Sequence, residues 1–357
     1  MEYPVHDTKE VTIYDIAKEL HISPATVSRG LNDHAAVNKN TKKKIVEMAK
    51  AMGYRSNTFA SNLRRKRTNT IGVILPHLNS SFLSSVISGM EKVANEAGYT
   101  LLISQSLETE KKEIANAKTM FDSRVDGLLV SLASDTTSIA HFESFIKKGV
   151  PIIFFDRVFD HKQCTSIVID NVKAGYEATT HLIQQGGQRI VHITGSLHRN
   201  VYTDRLKGYK FALLENNLPY LEENIYSINL TNEADLKQAL NKILNTTPLP
   251  DSLFVANDSC AVSCIKTLKQ AGLRIPQDIA VVGFNNDALA CVIEPNLTTI
   301  NYPGSEMGEV AAKNLINHLN GVHNINSTNT IILRSELVIR NSSLRKPDFK
   351  NNNLKVN

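Results

Sequence analysis

The sequence predicts two folds in one chain: a small all-α unit at the N-terminus, then an α/β body of two doubly wound parallel-sheet lobes. Apolar residues recur at helical spacing through the first fifth of the chain. From residue 70 onward, short aliphatic runs alternate with helical stretches, and this alternation restarts near residue 189. A chain of 357 residues is also too long for one ordinary core, which favours two or three domains.

Composition excludes several classes of protein. Hydrophobic residues make up 42% and charged residues 21%, and no apolar run approaches the roughly 20 residues needed to cross a bilayer. The first 20 residues carry charges throughout and lack the pattern of a secretory signal, so we expect a soluble cytoplasmic protein. The cysteines lack paired metal-site spacing and are expected to be small buried thiols: Cys164, Cys260, Cys264 and Cys291.

The basic excess of the chain is confined to its N-terminal fifth. Residues 1–68 contain 13 Lys and Arg against 7 Asp and Glu, which leaves 27 against 28 of the total 40 and 35 for the remainder. An isolated basic run is often only a solvated surface. Concentration of basic residues beside a helical motif favours a polyanion partner instead.

Two short helices are predicted in this basic segment. Thr12 is a suitable N-cap for the amphipathic stretch "TIYDIAKEL". Ser23 can cap a second helix with Pro24 at its first position. Val27 and Leu31 of the second helix should pack inward, which leaves three side chains outward: Ala25, Ser28 and Arg29.

A third helix completes this unit. The stretch "VNKNTKKKIVEMAKAMGY" carries an apolar stripe that can pack on the first two helices. The pair of short helices joined by a tight turn is a helix-turn-helix, and its second helix can enter the major groove of DNA. There the Arg29 guanidinium can donate two hydrogen bonds to a guanine edge.

Three segments, "VTIYDIAKELHISPATVSRGLND", "VNKNTKKKIVEMAKAMGYRSN" and "LRRKRTNTIGVILP", closely resemble the LacI/GalR family of bacterial transcriptional regulators. The resemblance implies a DNA-binding headpiece at 10–57 and a hinge helix with linker at 58–68. Its implied leucine wedge is Leu63, which would insert between base steps in the minor groove. The chain departs from the family at Ser56, at the pair Ala60-Ser61 and at Gly30, which is expected to loosen the end of the recognition helix.

The resemblance, together with the helix pattern, assigns the DNA-binding side chains. They are Thr12, Tyr14, Ser23, Pro24, Ala25, Thr26, Ser28, Arg29, Asn32, Asn57, Ala60 and Leu63.

The α/β body begins with "TIGVILP", "YTLLISQS", "DGLLVSL" and "VPIIFFD", which read as buried parallel strands. "RIVHITGS", "NIYSINL", "SLFVAN" and "IAVVGF" form a second set, and "LTTINYP" and "IILRSELVIR" suggest returns between lobes. The resemblance makes this body, 69–345, a periplasmic-binding-protein-like effector domain. We assign lobe 1 to about 69–168 and 298–326, lobe 2 to about 169–297 and 327–345, and a polar tail to 346–357.

Ligands of doubly wound folds bind beyond the carboxyl ends of the strands. Polar and aromatic residues at these ends are therefore the candidate effector ligands, although each one alone is often only a turn or cap. They are Ser80, Phe82, Asp156, Arg157, Arg199, Arg205, Asn257, Asp258, Asn285 and Tyr302.

The charge of the effector stays open at this point. Asp156 and Asn257 can pair with the hydroxyls of a neutral sugar. Family members usually have an aspartate where this chain has Asn285 and often a glutamine at Tyr302, and some have an aromatic near Leu230. The loss of one carboxylate beside several arginines makes a sugar phosphate or sugar acid the alternative.

Enzymatic functions find no support in the motifs. The chain has no GxGxxG, GxxxxGK[ST], GxSxG or HExxH pattern, so we predict no catalytic residue, cofactor or metal.

A sugar receptor of a transport system would explain the body but not the basic headpiece. We expect a repressor of a carbohydrate-related operon that binds double-stranded operator DNA and a small-molecule effector without contacting a membrane. Family members act as dimers, and the tail has no leucine heptad for tetramerisation, which favours a homodimer.

Overall fold

The computed structural model describes residues 11–54, 67–322, 324–325 and 330–345. The chain divides into two compact units, and the boundary falls between Thr68 and Asn69. None of the described helices is long and apolar enough to span a bilayer.

The first unit contains the three predicted helices: α1 (Ile13–Glu19), α2 (Pro24–Leu31) and α3 (Lys39–Ala51). One residue from each helix is completely buried in a shared core, namely Ile16, Val27 and Ile45. Such a small core is stabilised mainly by these contacts between helices, since each helix is too short to persist alone in water.

The second unit alternates strands and helices. In chain order they are β1 (Thr70–Leu75), α4 (Ser81–Glu96), β2 (Thr100–Gln105), α5 (Glu110–Asp122), β3 (Gly127–Val130), α6 (Glu143–Lys147), β4 (Ile152–Phe155), β5 (Thr165–Ile169), α7 (Asn171–Gln184), β6 (Ile190–Thr194), α8 (Asn200–Glu215), β7 (Ile225–Ser227), α9 (Glu233–Leu244), β8 (Ser252–Val255), α10 (Asp258–Gln270), β9 (Ala280–Asn285), α11 (Leu289–Val292), β10 (Thr298–Asn301), α12 (Gly304–Leu319), β11 (Thr330–Leu333) and β12 (Glu336–Val338).

The strands form two sheets of six, one in each lobe. The order is β11-β5-β4-β3-β1-β2 in lobe 1 and β12-β10-β9-β8-β6-β7 in lobe 2. All pairs are parallel except β10 with β12, and the predicted fold class is confirmed. In both sheets the strand order reverses beside the first strand of the lobe, which is where doubly wound folds bind ligands.

The predicted lobe boundaries need two corrections. We assigned 298–326 to lobe 1, but β10 pairs with β9 in the sheet of lobe 2, so the crossing into lobe 1 follows Asn301. We assigned 327–345 to lobe 2, but β11 pairs with β5 in lobe 1. Both strands have only four residues, and periodicity alone does not indicate which sheet a short strand joins. β5 was also absent from the predicted strands, because polar residues surround its short apolar run.

Each lobe contains one helix pair in backbone contact. A Cβ atom added to Gly208 of α8 would lie 2.0 Å from the carbonyl oxygen of Val172 in α7. In lobe 1, a Cβ added to Gly308 of α12 would lie 2.0 Å from the carbonyl of Val86 in α4. Only glycine permits these close approaches. Each pair includes a helix that directly follows a crossing between the lobes, α7 in lobe 2 and α12 in lobe 1.

Candidate functional site

The start of α2 is fixed by a side-chain cap. Ser23 Oγ accepts a hydrogen bond from the backbone N–H of Thr26 at 3.1 Å and lies 2.8 Å from Thr26 Oγ1. Pro24 is the first helical residue, as the sequence predicts. The helix therefore begins at a defined residue and presents its first turn in one orientation.

The outward face of the headpiece carries the predicted side chains. Ala25 and Arg29 are exposed and Ser28 is half-buried, whereas Val27 is fully buried against α1 and α3. Tyr14 of α1 is 69% exposed, which is unusual for so large an apolar ring. The start of α1 and the last turn of α2 thus offer an accessible aromatic ring and an accessible guanidinium group, Tyr14 and Arg29.

Two other predicted DNA contacts already bond within the headpiece. The backbone N–H and Oγ1 of Thr12 donate to Asp15 Oδ2 at 2.8 and 2.6 Å. Asn32 Nδ2 donates to the carbonyl of Ser28 at 2.7 Å, at the end of α2. Both groups cap their helices, and a contact with DNA remains a prediction for each.

Gly30 does not end the helix early. The α2 helix continues through Leu31, and Gly30 is buried against α3. A Cβ at this position would lie 2.5 Å from Cδ1 of Ile45. The missing side chain therefore lets α2 approach the core closely, and the expected loosening of the helix end stays a prediction. The hinge predictions for Asn57, Ala60 and Leu63 lie outside the described residues.

The lysines of α3 are mostly exposed. Lys42 is the exception, because its Nζ lies 2.6 Å from a carboxylate oxygen of Asp33. Nζ of Lys43 lies 4.0 Å from Glu47, and both of these side chains are exposed. Lys39, Lys44 and Lys50 are also exposed. The exposed lysines are placed to meet a negatively charged surface.

A small cavity of about 70 Å³ lies between the two lobes. It brings together eight of the ten predicted effector ligands: Ser80, Phe82, Asp156, Arg157, Arg205, Asn257, Asn285 and Tyr302. A wider cleft of about 890 Å³ shares Arg157 and Asn257 with this cavity and is also lined by Leu230. Because both lobes contribute, a ligand here contacts residues that move apart when the lobes separate.

Several residues at this edge of the strands adopt left-handed backbone conformations. The φ angle is 58° at Asp156, 118° at Asn285 and 62° at Glu108. Such conformations are costly for residues other than glycine and cluster at functional sites. They turn the three side chains off the strand ends, and Asp156 and Asn285 reach the cavity.

Asp156 is the buried carboxylate of the cavity. Its Oδ1 accepts from the Tyr302 hydroxyl at 2.9 Å, and its Oδ2 lies 3.4 Å from Ser131 Oγ. Burial raises the pKa of Asp156 and outweighs the opposite effects of Arg157 and Arg205. Its acceptor positions are therefore held in place by two hydroxyl groups.

Arg205 of α8 is 3% exposed. Its Nε donates to Asn171 Oδ1 and its Nη1 to the carbonyl of Ala256, both at 2.9 Å. The guanidinium carbon lies 3.4 Å from the ring centroid of Phe284. Within the described residues Nη2 has no hydrogen-bond partner, so this nitrogen is the donor that remains for a ligand.

Phe82 and Tyr302 form one wall of the cavity. Their ring centroids are 4.2 Å apart and the rings are nearly parallel. Both rings are buried. One face of Phe82 is occupied by Tyr302, so a ligand would meet the remaining surface of this pair.

Arg157 is engaged by a carboxylate that the sequence did not indicate. Its Nη1 lies 2.6 Å from Glu108 Oε2, and its Nη2 donates to the Tyr202 hydroxyl at 3.1 Å. Burial opposes the charge on Glu108, but Arg157 and His77 outweigh it and lower the pKa of Glu108 to about 2. Glu108 and Arg157 therefore form a charged pair at neutral pH.

Two predicted ligands cap helices beside the cavity. Ser80 Oγ accepts from the backbone N–H of Leu83 at 3.3 Å, and Asn257 Oδ1 accepts from that of Cys260 at 2.8 Å. Both still line the cavity, so capping fixes their orientation there.

Arg199 and Asp258 do not line the cavity, contrary to prediction. Arg199 donates from Nη2 to the carbonyl of Thr136 in the other lobe. Asp258 points into lobe 2, where its Oδ1 accepts from Thr299 Oγ1 at 2.7 Å and its Oδ2 from the backbone N–H of Asp287 at 2.7 Å. Each is the first or capping residue of a helix, and the helix direction turns its side chain away from the cavity.

Asn200 joins the lobes beside the cavity. This first residue of α8 accepts at Oδ1 from the backbone N–H of Val158 at 3.0 Å. Its Nδ2 donates to the carbonyl of Asp156 at 3.0 Å. One amide thus holds the loop that carries Asp156 and Arg157, and no sequence pattern singles out Asn200 beyond its position at a helix start.

Two family descriptions match the chain. Residues 12–57 match bacterial regulatory proteins of the lacI family, and residues 179–343 match a periplasmic binding protein-like domain.

Known proteins are similar over most of the chain. Catabolite control protein A of Priestia megaterium is 32% identical over 311 residues, which cover 87% of this chain and 93% of that protein. The ribose operon repressor of Haemophilus influenzae is 29% identical, with 93% and 98% covered. The Lac repressor bound to ONPG in the repressed state superimposes with a TM-score of 0.81 at 26% identity, covering 94% of this chain and all of that one.

Proposed function

Because this chain belongs to the LacI family of DNA-binding transcriptional regulators, we propose that it represses a carbohydrate-related operon and that a small molecule in the interlobe cavity controls its affinity for the operator. The effector is a sugar or sugar derivative. The ribose operon repressor among its relatives supports the carbohydrate assignment. The proposal assigns no catalysis to the protein.

One observation carries the proposal for the effector. Side chains from the carboxyl ends of strands in both lobes converge on one cavity that holds a buried carboxylate and a buried guanidinium, Asp156 and Arg205. Burying such groups is costly, and their retention is typical of a site that exchanges internal hydrogen bonds for ligand bonds.

The same geometry suggests how effector binding is transmitted. Asp156 and Arg157 contact the cavity, and the backbone beside them is held by Asn200 of the other lobe. A ligand that forms hydrogen bonds with Asp156 or Arg157 alters the contacts that set the angle between the lobes. Its differential affinity for the two lobe arrangements then shifts the equilibrium between them.

The headpiece supports sequence-specific binding through α2. We propose that Arg29 reads a base edge while the exposed lysines of α3 contact phosphates. The Arg29→Ala variant should lose roughly 1–3 kcal/mol on the best site and relax its preference at one base pair. Gel-shift titration on a selected operator and on random DNA measures this loss.

Lys43→Ala is the matched control for this experiment. It removes one exposed cation from the same unit, so it should weaken binding to both DNAs about equally. If Arg29→Ala also weakened both DNAs equally, Arg29 would not read a base.

A thermal-shift screen tests the cavity. A ligand that binds only the folded state raises the melting temperature, so neutral sugars, sugar phosphates and nucleobases are compared at equal concentration. At least one carbohydrate should stabilise the wild type. Stabilisation by nucleobases alone would refute the carbohydrate proposal.

We propose a homodimer, as the family resemblance implies. Strand β2 is an edge of the lobe 1 sheet, and exposed apolar side chains lie on it and beside it: Leu78, Ile103, Leu107 and Ile114. Covering such a surface with a second copy removes it from water. Ile103→Lys should dissociate the dimer in analytical ultracentrifugation, and an unchanged sedimentation coefficient would place the interface elsewhere.

The receptor of a transport system was the alternative. The headpiece match at 12–57 and the regulator relatives favour the DNA-binding function over it.

A further inference from the structure

We propose that Glu108 sets the charge class of the effector: by neutralising Arg157 it makes the cavity select an uncharged ligand and reject an anion. This inference rests on the proposed function of the cavity. It assigns a specificity-determining role to a residue that sequence patterns did not single out.

Glu108 is held firmly enough to act as a fixed charge. Its Oε2 accepts from the backbone N–H of Ser134 at 3.0 Å, and its Oε1 lies 3.3 Å from His77 Nδ1. Its backbone is left-handed, which directs the side chain off the end of β2 and toward Arg157. A charge fixed in this way needs no reorganisation when a ligand arrives.

Both terminal nitrogens of Arg157 already donate within the protein. Nη1 points to Glu108 at 2.6 Å and Nη2 to the Tyr202 hydroxyl at 3.1 Å. Arginine recognises a phosphate or carboxylate by presenting two parallel N–H groups. A parallel pair of N–H groups on Arg157 includes a nitrogen that already donates to Glu108 or to Tyr202, and displacing Glu108 would break a largely shielded ion pair, which is costly.

Arg205 does not replace Arg157 as a group that binds an anion. Its Nε and Nη1 are bonded to Asn171 and to the carbonyl of Ala256, and its flat face lies on Phe284. Within the described residues only Nη2 has no partner, so an anion bound by a parallel pair of N–H groups would have to share a nitrogen that already donates within the protein.

Glu108 also changes the count of charged groups around the cavity. Two guanidinium groups, Arg157 and Arg205, line the cavity with one carboxyl group, Asp156, and Glu108 adds a second carboxyl group that is bonded to Arg157. With Asn285 in place of a carboxylate, the sequence predicts an excess of positive charge, and that excess is the basis for the anionic alternative. Glu108 cancels it, so the reason for expecting a sugar phosphate or sugar acid disappears.

The experiment compares small anions with the wild type and with Glu108→Gln. Glutamine keeps the size of the side chain and an acceptor oxygen while removing the charge. Inorganic phosphate and sulfate serve as probes in isothermal titration calorimetry, because neither depends on the unknown shape of the effector. We expect anion affinity to rise about 10- to 100-fold in Glu108→Gln, the ratio that one charge-assisted hydrogen bond supplies.

Two further variants make the result specific. Glu110→Gln removes the same charge two positions along the chain, outside the cavity lining, and should leave anion affinity at the wild-type level. In the double variant Glu108→Gln with Arg157→Gln, the gain should vanish, because the released guanidinium is gone. Glu108→Ala repeats the measurement if the glutamine variant does not fold.

The possible outcomes separate this inference from the proposed function. Strong anion binding by the wild type, no gain in either Glu108 variant, or an equal gain in Glu110→Gln would overturn the role of Glu108. A third outcome is that no neutral sugar stabilises the wild type while Glu108→Gln binds phosphate or sulfate more tightly. In that case Glu108 does select against anions, and the carbohydrate proposal fails.

Discussion

Arg205 is the residue whose removal tests the cavity most directly. Its guanidinium is almost completely buried, donates to Asn171 and to the carbonyl of Ala256, and stacks on Phe284. Arg205→Ala leaves two buried acceptors without donors and removes a cation from an aromatic face.

The expected cost follows from these contacts. Each buried acceptor left without its donor costs about 1–3 kcal/mol. Loss of the cation–π contact adds about 1 kcal/mol or more. We therefore expect Arg205→Ala to lower the free energy of unfolding by about 3–7 kcal/mol, the sum of these costs. A stability in the upper part of the usual range of about 5–15 kcal/mol allows the variant to remain folded.

Urea denaturation measures the loss, and Arg189→Ala is the control. The Arg189 side chain is 51% exposed in the same lobe, so its removal should cost less than about 1 kcal/mol. Because the headpiece is a separate unit, operator binding should persist in Arg205→Ala while the response to the effector is lost. If Arg205→Ala were as stable as the control, the buried contacts described for it would be wrong.

Three further predictions concern packing, pH and thiols. Gly208→Ala should destabilise the body by about 1–3 kcal/mol in urea denaturation, since its methyl group would meet the carbonyl of Val172. The pKa of Glu108 is lowered from 4.5 to about 2, so its ion pair stabilises the fold above pH 4.5. That stability should be lost as pH falls from 4.5 toward 2, and thermal melts of Glu108→Gln should lack this acid-dependent part. In native protein Ellman's reagent should titrate only the exposed Cys291, because three thiols are buried and burial raises their pKa: Cys164, Cys260 and Cys264.

Local sequence was sufficient for the helices of the headpiece. Ser23 and Pro24 determine where α2 begins, and Val27 determines which face is buried, since both depend only on residues within one or two turns. The alternation of strands and helices likewise predicted the α/β class, because buried parallel strands have a recognisable apolar signature.

The sequence by itself also determined most of the cavity, because the carboxyl ends of parallel strands meet at one edge wherever the strands lie along the chain. Only the tertiary structure decided which polar residues at those ends face inward. Arg199 and Asp258 turn away, whereas Glu108 reaches Arg157 across 49 residues of chain. The charge of the cavity depends on that one long-range pair, and no local pattern encodes it, because the approach of two distant side chains is set by backbone dihedrals and packing rather than by spacing.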